Sequence, residues 1–331
     1  MKNPSKILSI CIPTYNRGYV LKHSIDQLVC ACACLKEHIE IIVSDNNSTD
    51  DTEQILAQYN NFSYIHYYKN SENIGFNDNM IKIIKNYISG KYCWLIGDDD
   101  FVYLDSIQYI ISLLKSHEAI DYIYVKFDTQ KLEDIISNIA LDKRANDYGS
   151  SYFDIGNICK FEDVVSGETN AGNILLTFIS SSIIKTSILM QIQNDSINRE
   201  SWNGVKDLFP NAYFYSRVLK DCISFRFTKP LITAAIINKE WNNNLWLLRM
   251  KYLPELYDHY CSIGYNEEIL LNSEKLIIQC GVRSLMTTDL STWDIIKIKL
   301  RFIYRYRFNL YFYRCVFTTI YNGFNAYLIE R

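Results

Sequence analysis

Tyr92–Asp100 reads YCWLIGDDD. Its apolar run, Tyr92–Ile96, is too short for a helix and long enough for a buried strand, and it runs directly into Gly97 and three carboxylates. The same arrangement occurs twice upstream. Ile7–Ile12 is a β-branched apolar run bounded by Pro13 and followed by Thr14–Arg17; Ile39–Ser44 is another, followed by Asp45–Asp50 (DNNSTD). Between these runs the period changes to that of a helix. Val20, Leu21, Ile25, Leu28 and Val29 share one face, as do Ile55, Leu56 and Tyr59 beyond a cap at Thr49 or Asp50. Phe62–Lys69 predicts a third strand, and Ile74–Ile88 a helix ended by Gly90 as its cap.

Strands alternating with helices predict an α/β fold whose mostly parallel sheet is flanked by helices. Ligands of such sheets bind outside the carboxyl ends of the strands. Each polar cluster falls at such an end, so Thr14–Arg17, Asp45–Asn47 and Asp98–Asp100 are expected to share one site. Beyond Asp105 the pattern loosens. A helix is expected over Leu104–Lys115 and a strand over Tyr122–Phe127, then a polar insertion over 130–173, mixed elements over 174–240 and a largely helical, aromatic remainder. The expected division is a ligand-binding half over 1–105, a second half over 106–240 and a helical region over 241–331.

Composition removes several classes. With 48% hydrophobic and 21% charged residues, and only 12 glycines and 5 prolines in 331, the chain has material for a sizeable core and does not read as disordered or low-complexity. The formal charge of −3 argues against a nucleic-acid-coating protein, and it is unevenly spread: residues 291–331 carry +5 and residues 1–290 carry −8. Ten cysteines are too dilute for a disulfide scaffold. The one cluster, Cys30, Cys32 and Cys34, lacks a second pair at zinc spacing and reads as packed thiols. Ile7–Ile12 is too short for a signal-peptide core, and Lys185 interrupts the longest apolar stretch, Ile174–Ile192. A cytoplasmic body is expected.

Three adjacent carboxylates repel one another unless a cation compensates them. If the segment stays extended, Asp98 and Asp100 point the same way and Asp99 the other. A two-carboxylate site completed by phosphates and water suits Mg²⁺ or Mn²⁺, which would neutralise a leaving diphosphate. The plain alternative is a solvated acidic turn.

Four motifs stand in order: ICIPTYNR at Ile10–Arg17, DNNSTDDT at Asp45–Thr52, NIGFNDN at Asn73–Asn79 and WLIGDDD at Trp94–Asp100. In sequence and spacing they resemble family 2 glycosyltransferases of the GT-A fold, strongly over residues 5 to 110 and weakly over 110–240. The WLIGDDD variant is similar to that of bacterial O-antigen and capsule enzymes, including abequosyltransferase-like ones. The resemblance implies that Tyr15 stacks on the nucleotide base, with Pro13 and Thr14 offering backbone contacts, and that Asp45 receives a base N–H. Arg17, Asn47, Asn73 and Asp98 complete the donor side. Family members usually carry their first motif Asp where this chain has Gly97, which makes Asp99 the matched metal ligand, with Asp100 beside it.

Two departures from the family pattern follow. Asp78-Asn79 stands where Arg-Asn is usual, so Asp78 would accept from an exocyclic amine and favour a cytidine donor; the plain alternative is a solvated helix position. The Glu-Asp pair that normally supplies the base falls at Pro210-Asn211, counted from Arg217. Asp207 and then Glu200 are the nearest carboxylates able to deprotonate an acceptor hydroxyl.

The tail interleaves Trp293, Lys297, Lys299, Arg301, Arg305, Arg307 and Arg314 with Ile, Phe and Tyr. Such a segment either lies on an anionic membrane surface or docks on the body or a second subunit, as in a homo-oligomer. RNA binding is disfavoured because no nucleic-acid motif accompanies it. The resemblance thus implies an inverting glycosyltransferase using a UDP, CDP or dTDP sugar, Mg²⁺ or Mn²⁺, and a saccharide acceptor, polyprenyl-linked at the inner face of the membrane. A nucleotide-sugar-binding subunit without activity stays open, and so does a nucleotidyltransferase, although a Gly-rich phosphate loop after the first strand is absent.

Overall fold

The computed structural model of the chain describes residues 6–138, 151–167, 173–191, 204–236, 241–288 and 291–329. The chain divides into two compact units, the first comprising Met1–Val164 and Phe178–Ile237, the second Val165–Thr177 and Asn238–Arg331.

The first unit opens with β1 (Lys6–Thr14), α1 (Gly18–Cys32), β2 (Ile39–Asp45), α2 (Thr52–Ala57), β3 (Ile65–Lys69), α3 (Phe76–Asn86) and β4 (Gly90–Leu95). It continues through β5 (Asp100–Val102), α4 (Ser106–Ser116), β6 (Tyr122–Tyr124), β7 (Phe127–Lys131), α5 (Leu132–Asn138), β8 (Gly156–Lys160) and α6 (Phe161–Gly167), whose last residues enter the second unit. After β9 (Ser182–Lys185), α7 (Thr186–Leu189), α8 (Val205–Leu208), α9 (Pro210–Leu219), β10 (Ile223–Phe227) and β11 (Ile232–Ile236) complete it.

Eight strands form one sheet in the order β3-β2-β1-β4-β9-β6-β10-β8. β3, β2, β1 and β4 run parallel, as do β6 and β10, while β9 and β8 run antiparallel to their neighbours. This is the large, mostly parallel sheet predicted. β1 and β2 lie inside the sheet, with a strand on each side and both faces covered, so Leu8, Ile10, Ile12, Ile39, Ile41 and Val43 are fully buried, which is why these strands read as continuous apolar runs. The parallel register pairs Thr14 with Asp45 and Cys11 with Leu95, bringing the carboxyl ends of β1, β2 and β4 to one edge.

Several expectations need correction. Gly90 does not cap α3, which ends at Asn86; it is the first residue of β4. A Cβ there would stand 2.6 Å from both the backbone nitrogen and the Oγ of Ser9, so the glycine answers close strand approach rather than a helix terminus. The strand expected over Tyr122–Phe127 is two: β6 stays in the large sheet, while β7 pairs with β11 in a three-stranded sheet ordered β5-β11-β7. Of the clustered thiols only Cys32 is buried; Cys30 is exposed on the outer face of α1, and Cys34 lies beyond the helix, which ends at Cys32.

The second unit is helical: α10 (Trp241–Leu247), a π turn (Leu248–Tyr252), α11 (Leu253–Ser262), α12 (Glu267–Thr287), α13 (Trp293–Tyr306) and α14 (Leu310–Ile329). Met250, Ile278, Val282, Phe302, Tyr306 and Phe312 form its core. No described helix is long and apolar enough to cross a membrane.

Candidate active site

At the end of β1 the chain turns sharply into α1 through Asn16, whose φ of 53° is one that asparagine tolerates. The Asn16 side chain accepts from the Thr49 backbone at 2.8 Å, and the Asn16 backbone N–H donates to Ser48 Oγ at 2.8 Å. The β2 loop turns at Asn47, φ 66°. The two loops are further joined by Asp50, which accepts from the Gly18 N–H at 3.0 Å and from the Thr52 N–H at 3.1 Å, the start of α2. Partial burial opposes ionisation of Asp50, but hydrogen bonds from Thr52 and Gly18 prevail and hold its carboxyl below the ordinary value.

These turns aim Thr14 and Arg17 at the acidic segment after β4. Thr14 Oγ1 donates to Asp98 Oδ2 at 2.8 Å. Arg17 spans two carboxylates, with Nη1 at 3.0 Å from Asp98 Oδ1 and Nη2 at 2.9 Å from Asp99 Oδ2. Burial lowers the affinity of Arg17 for its proton, but Asp98, then Asp99 and Asp100, more than restore it, so the guanidinium is a fixed cation. Asp100 accepts from Ser180 Oγ at 2.5 Å and from the Gly97 N–H at 3.2 Å. All three carboxylates are buried, at 4–5% exposure.

The extended alternation expected here fails: Asp98 and Asp99 reach the same guanidinium, because they form a turn ahead of β5 and not a continuation of β4. On the other side, a Cβ on Gly97 would stand 2.7 Å from Asp100 Oδ2 and 3.0 Å from Asp99 Oδ1. Those two oxygens therefore converge on space that only glycine leaves free. Hard oxygen donors gathered this way fit Mg²⁺ or Mn²⁺ bound by two carboxylates with phosphate and water as the remaining ligands. Among the described residues no three His, Cys, Asp or Glu side chains are grouped so as to hold a metal ion.

The other residues expected on the donor side lie at the ends of β1 and β2, in the loop after β3 and on α3. Tyr15 is 43% exposed, not a core ring, while Pro13 and Thr14 are buried. Asp45 is fully buried, its Oδ1 accepting from the Ser48 N–H and its Oδ2 from Tyr67 OH, both at 2.8 Å. Burial first, and the Asp45 carboxylate second, raise the Tyr67 pKa, so the phenol stays a donor.

Asn73 accepts from Asn46 Nδ2 at 2.7 Å and from the Gly75 N–H at 2.9 Å. Behind it, Asn79 accepts from Ser44 Oγ at 2.6 Å and from Asn70 Nδ2 at 3.0 Å. Of this network the sequence reading singles out Asn73 but not Asn46 or Asn70, whose trace is the density of Asn around DNNS and NIGFNDN. Asp78 is half-buried in the first turn of α3, between the buried Asn77 and Asn79.

Asn77 Nδ2 donates to the Asp207 carbonyl at 2.7 Å, which ties α3 to α8. Asp207 is thus a buried carboxylate on α8, the element joined to α3, whereas Glu200 lies outside the described residues. Pro210 begins α9, and Asn211 is buried beside it. Ser180 was also missed; nothing local distinguishes it, since its partners lie 80 residues earlier.

Comparisons with known proteins accord with this geometry. Residues 9–157 match the profile of Glycosyl transferase family 2. Over 116 residues the chain is 35% identical to the abequosyltransferase RfbV of Salmonella typhimurium, which covers 34% of each protein. The chain spans about a third of the length of the curated relatives it matches.

Among solved structures, the mannosyltransferase PcManGT of Pyrobaculum calidifontis, in complex with GDP-Man and Mn²⁺, aligns at a TM-score of 0.52 and 12% identity, covering 97% of this chain and 84% of that one. TarS 1–349 of S. aureus with UDP-GlcNAc aligns at 0.51 and 15%, covering 91% and 72%. At these identities the likeness shows the fold, that of the GT-A glycosyltransferases.

Proposed function

We propose that this chain is an inverting glycosyltransferase that moves a sugar from a nucleoside-diphosphate donor to a hydroxyl of a saccharide in surface polysaccharide synthesis. One observation carries the reading: Asp98 and Asp99, just beyond the carboxyl end of β4, are bonded to Thr14 and Arg17 at and just beyond the end of the neighbouring β1, with Asp100 held beside them by Ser180. An anionic diphosphate enters such a site only where cations balance the carboxylates. Bound Mg²⁺ or Mn²⁺, held by Asp99 and Asp100, would neutralise charge developing on the leaving diphosphate.

The chain's own residues do the rest. Arg17 fixes Asp98 and Asp99 and adds a second cation at the diphosphate. The exposed Tyr15 ring offers a face on which a base stacks. Asp45, Asn47 and Asn73 orient the nucleoside from the β2 side. Asp78 accepts from an exocyclic amine, which favours cytosine over uracil; a donor series in which Asp78→Arg leaves the CDP-sugar over UDP-sugar preference unchanged would refute that element alone. Asp207 takes the acceptor proton as the hydroxyl attacks the anomeric carbon opposite the leaving diphosphate. The acceptor class we assign is a polyprenyl-linked saccharide at the cytoplasmic face of a membrane.

A second reading, donor binding without turnover, is favoured by Pro210-Asn211 standing where a Glu-Asp pair is usual. Release of nucleoside diphosphate from nucleotide sugars, measured with and without Mn²⁺ across saccharide acceptors, separates the two. Turnover abolished by Asp99→Asn supports transfer; tight donor binding with no release over any acceptor supports the second reading.

A further inference from the structure

The second unit turns a mixed basic and apolar surface to solvent, and we infer that this surface seats on an anionic lipid bilayer. On α13, Ile295, Lys299, Phe302 and Tyr306 face inward. Phe302 packs against Gly281, where any Cβ would collide with its ring. Two of the basic residues serve this docking: Lys299 Nζ donates to the Thr288 carbonyl, and Arg305 binds Asp258 through two hydrogen bonds of 2.7 and 2.6 Å. The sequence left docking and membrane contact as alternatives; one helix face takes the first and frees the other for the second.

That other face carries Trp293, Lys297, Leu300, Tyr304 and Arg307 at helical spacing. Leu300, Arg301, Ile303, Tyr304 and Arg307 line an open concavity of about 540 Å³. The Arg307 guanidinium lies 3.6 Å from the Tyr304 ring centre and 4.6 Å from that of Phe308, so it sits at the level of the rings. On α14 the exposed side continues the apolar character with Leu310 at 86% exposure and Phe317 at 69%.

Residues 295–329 contain six Lys or Arg and no Asp or Glu; the acidic residue of α13, Asp294, stands at its start, 3.6 Å from Lys297. Charge decides the occupant. A symmetric pairing of two copies would set these cations against their own equivalents. A bilayer with anionic headgroups takes aromatic rings at the interface and cations among the phosphates. Since no described helix is long and apolar enough to cross, the fit is to a surface.

The test is co-sedimentation of the full chain with phosphatidylcholine vesicles and with vesicles in which a third of the lipid is phosphatidylglycerol. Binding should require phosphatidylglycerol and should fall in high salt, where screening shortens to about 3 Å at 1 M. Arg301→Gln with Arg307→Gln should weaken binding about thirtyfold, at about 1 kcal/mol per charge. Leu300→Ser with Phe317→Ser should abolish it. Ile158→Ser, an exposed apolar position on β8, should leave it unchanged, and melting curves should show every variant folded.

Absence of vesicle binding, binding indifferent to phosphatidylglycerol, or a dimer in analytical ultracentrifugation that Leu300→Ser with Phe317→Ser dissociates would overturn the inference. None of these outcomes bears on donor binding, which is measured separately.

Discussion

Arg17 Nη2 lies 2.9 Å from Asp99 Oδ2, across 82 positions of sequence. This bond and its companion to Asp98 hold two adjacent carboxylates on one cation, within a turn whose third carboxylate is held by Ser180. The chain's own residues thus hold the acidic segment in place.

Replacing Arg17 by Gln leaves Asp98 and Asp99 buried without their shared cation. Breaking a buried pair costs about 3–5 kcal/mol. Because the Arg17 side chain is 32% exposed, solvent takes up part of that loss, and about 1–3 kcal/mol is expected. Urea unfolding measures it. Added Mn²⁺ should restore more stability to Arg17→Gln than it adds to the wild type; equal gains in both would mean that the guanidinium and the metal do not share these carboxylates.

Gly97→Ala tests the convergence of Asp99 and Asp100 directly. The new methyl would stand 2.7 Å from Asp100 Oδ2 and 3.0 Å from Asp99 Oδ1, so both side chains must shift. A stability loss of about 1–3 kcal/mol is expected from overpacking. Binding of Mn²⁺, followed by electron paramagnetic resonance in the presence of a nucleoside diphosphate, should weaken at least tenfold, about 1.4 kcal/mol. Unchanged Mn²⁺ binding would place the ion elsewhere.

Asp207→Asn separates base from binding. A general base contributes about 10²–10⁴-fold to rate, so transfer should fall by that factor while donor affinity holds. A fall of only a few fold transfers the role to another carboxylate, Glu200 being the next candidate.

Glu274 gives a pH signature in the second unit. Burial, opposed by Arg305 and assisted by Glu267, raises its carboxyl pKa above the ordinary 4.5. A folded-state pKa above the unfolded one means that this contribution to stability is fully present below about pH 4.5 and lost as pH rises through the folded value. Glu274→Gln should therefore melt higher than the wild type at pH 7, by no more than about 2 °C, and the difference should vanish below pH 4.5. A constant difference across that range would assign the effect to packing.

Much of this was legible in the sequence where the physics is local. β1, β2 and β4 announced themselves as short apolar runs ending in polar clusters, because buried parallel strands need apolar side chains on both faces. The parallel register then does the work of assembly, setting Thr14 beside Asp45.

What could not be read depends on distant contacts. Ser180 reaches Asp100 only because β9, entering the sheet antiparallel between β4 and β6, brings it there, and Trp94 Nε1 donates to the Ser180 carbonyl at 2.7 Å. Gly90 was misread because close strand approach and helix capping both select glycine. The aim of Asp98 and Asp99 is set by a turn, so strand alternation does not give it. The basic tail divides for a similar reason: nothing local says that Lys299 is buried on Thr288 and Arg305 bound to Asp258.

The central claim, that the Asp98–Asp100 turn binds a nucleotide sugar through a divalent cation, is tested most directly by calorimetric titration of UDP-, CDP-, GDP- and dTDP-sugars with and without Mn²⁺. The account predicts that at least one donor binds in the micromolar range or tighter, that omitting Mn²⁺ weakens it at least tenfold, and that Asp99→Asn removes the dependence on the metal. If no nucleotide sugar binds, or if a donor binds equally well without Mn²⁺ and to Asp99→Asn, the account is contradicted.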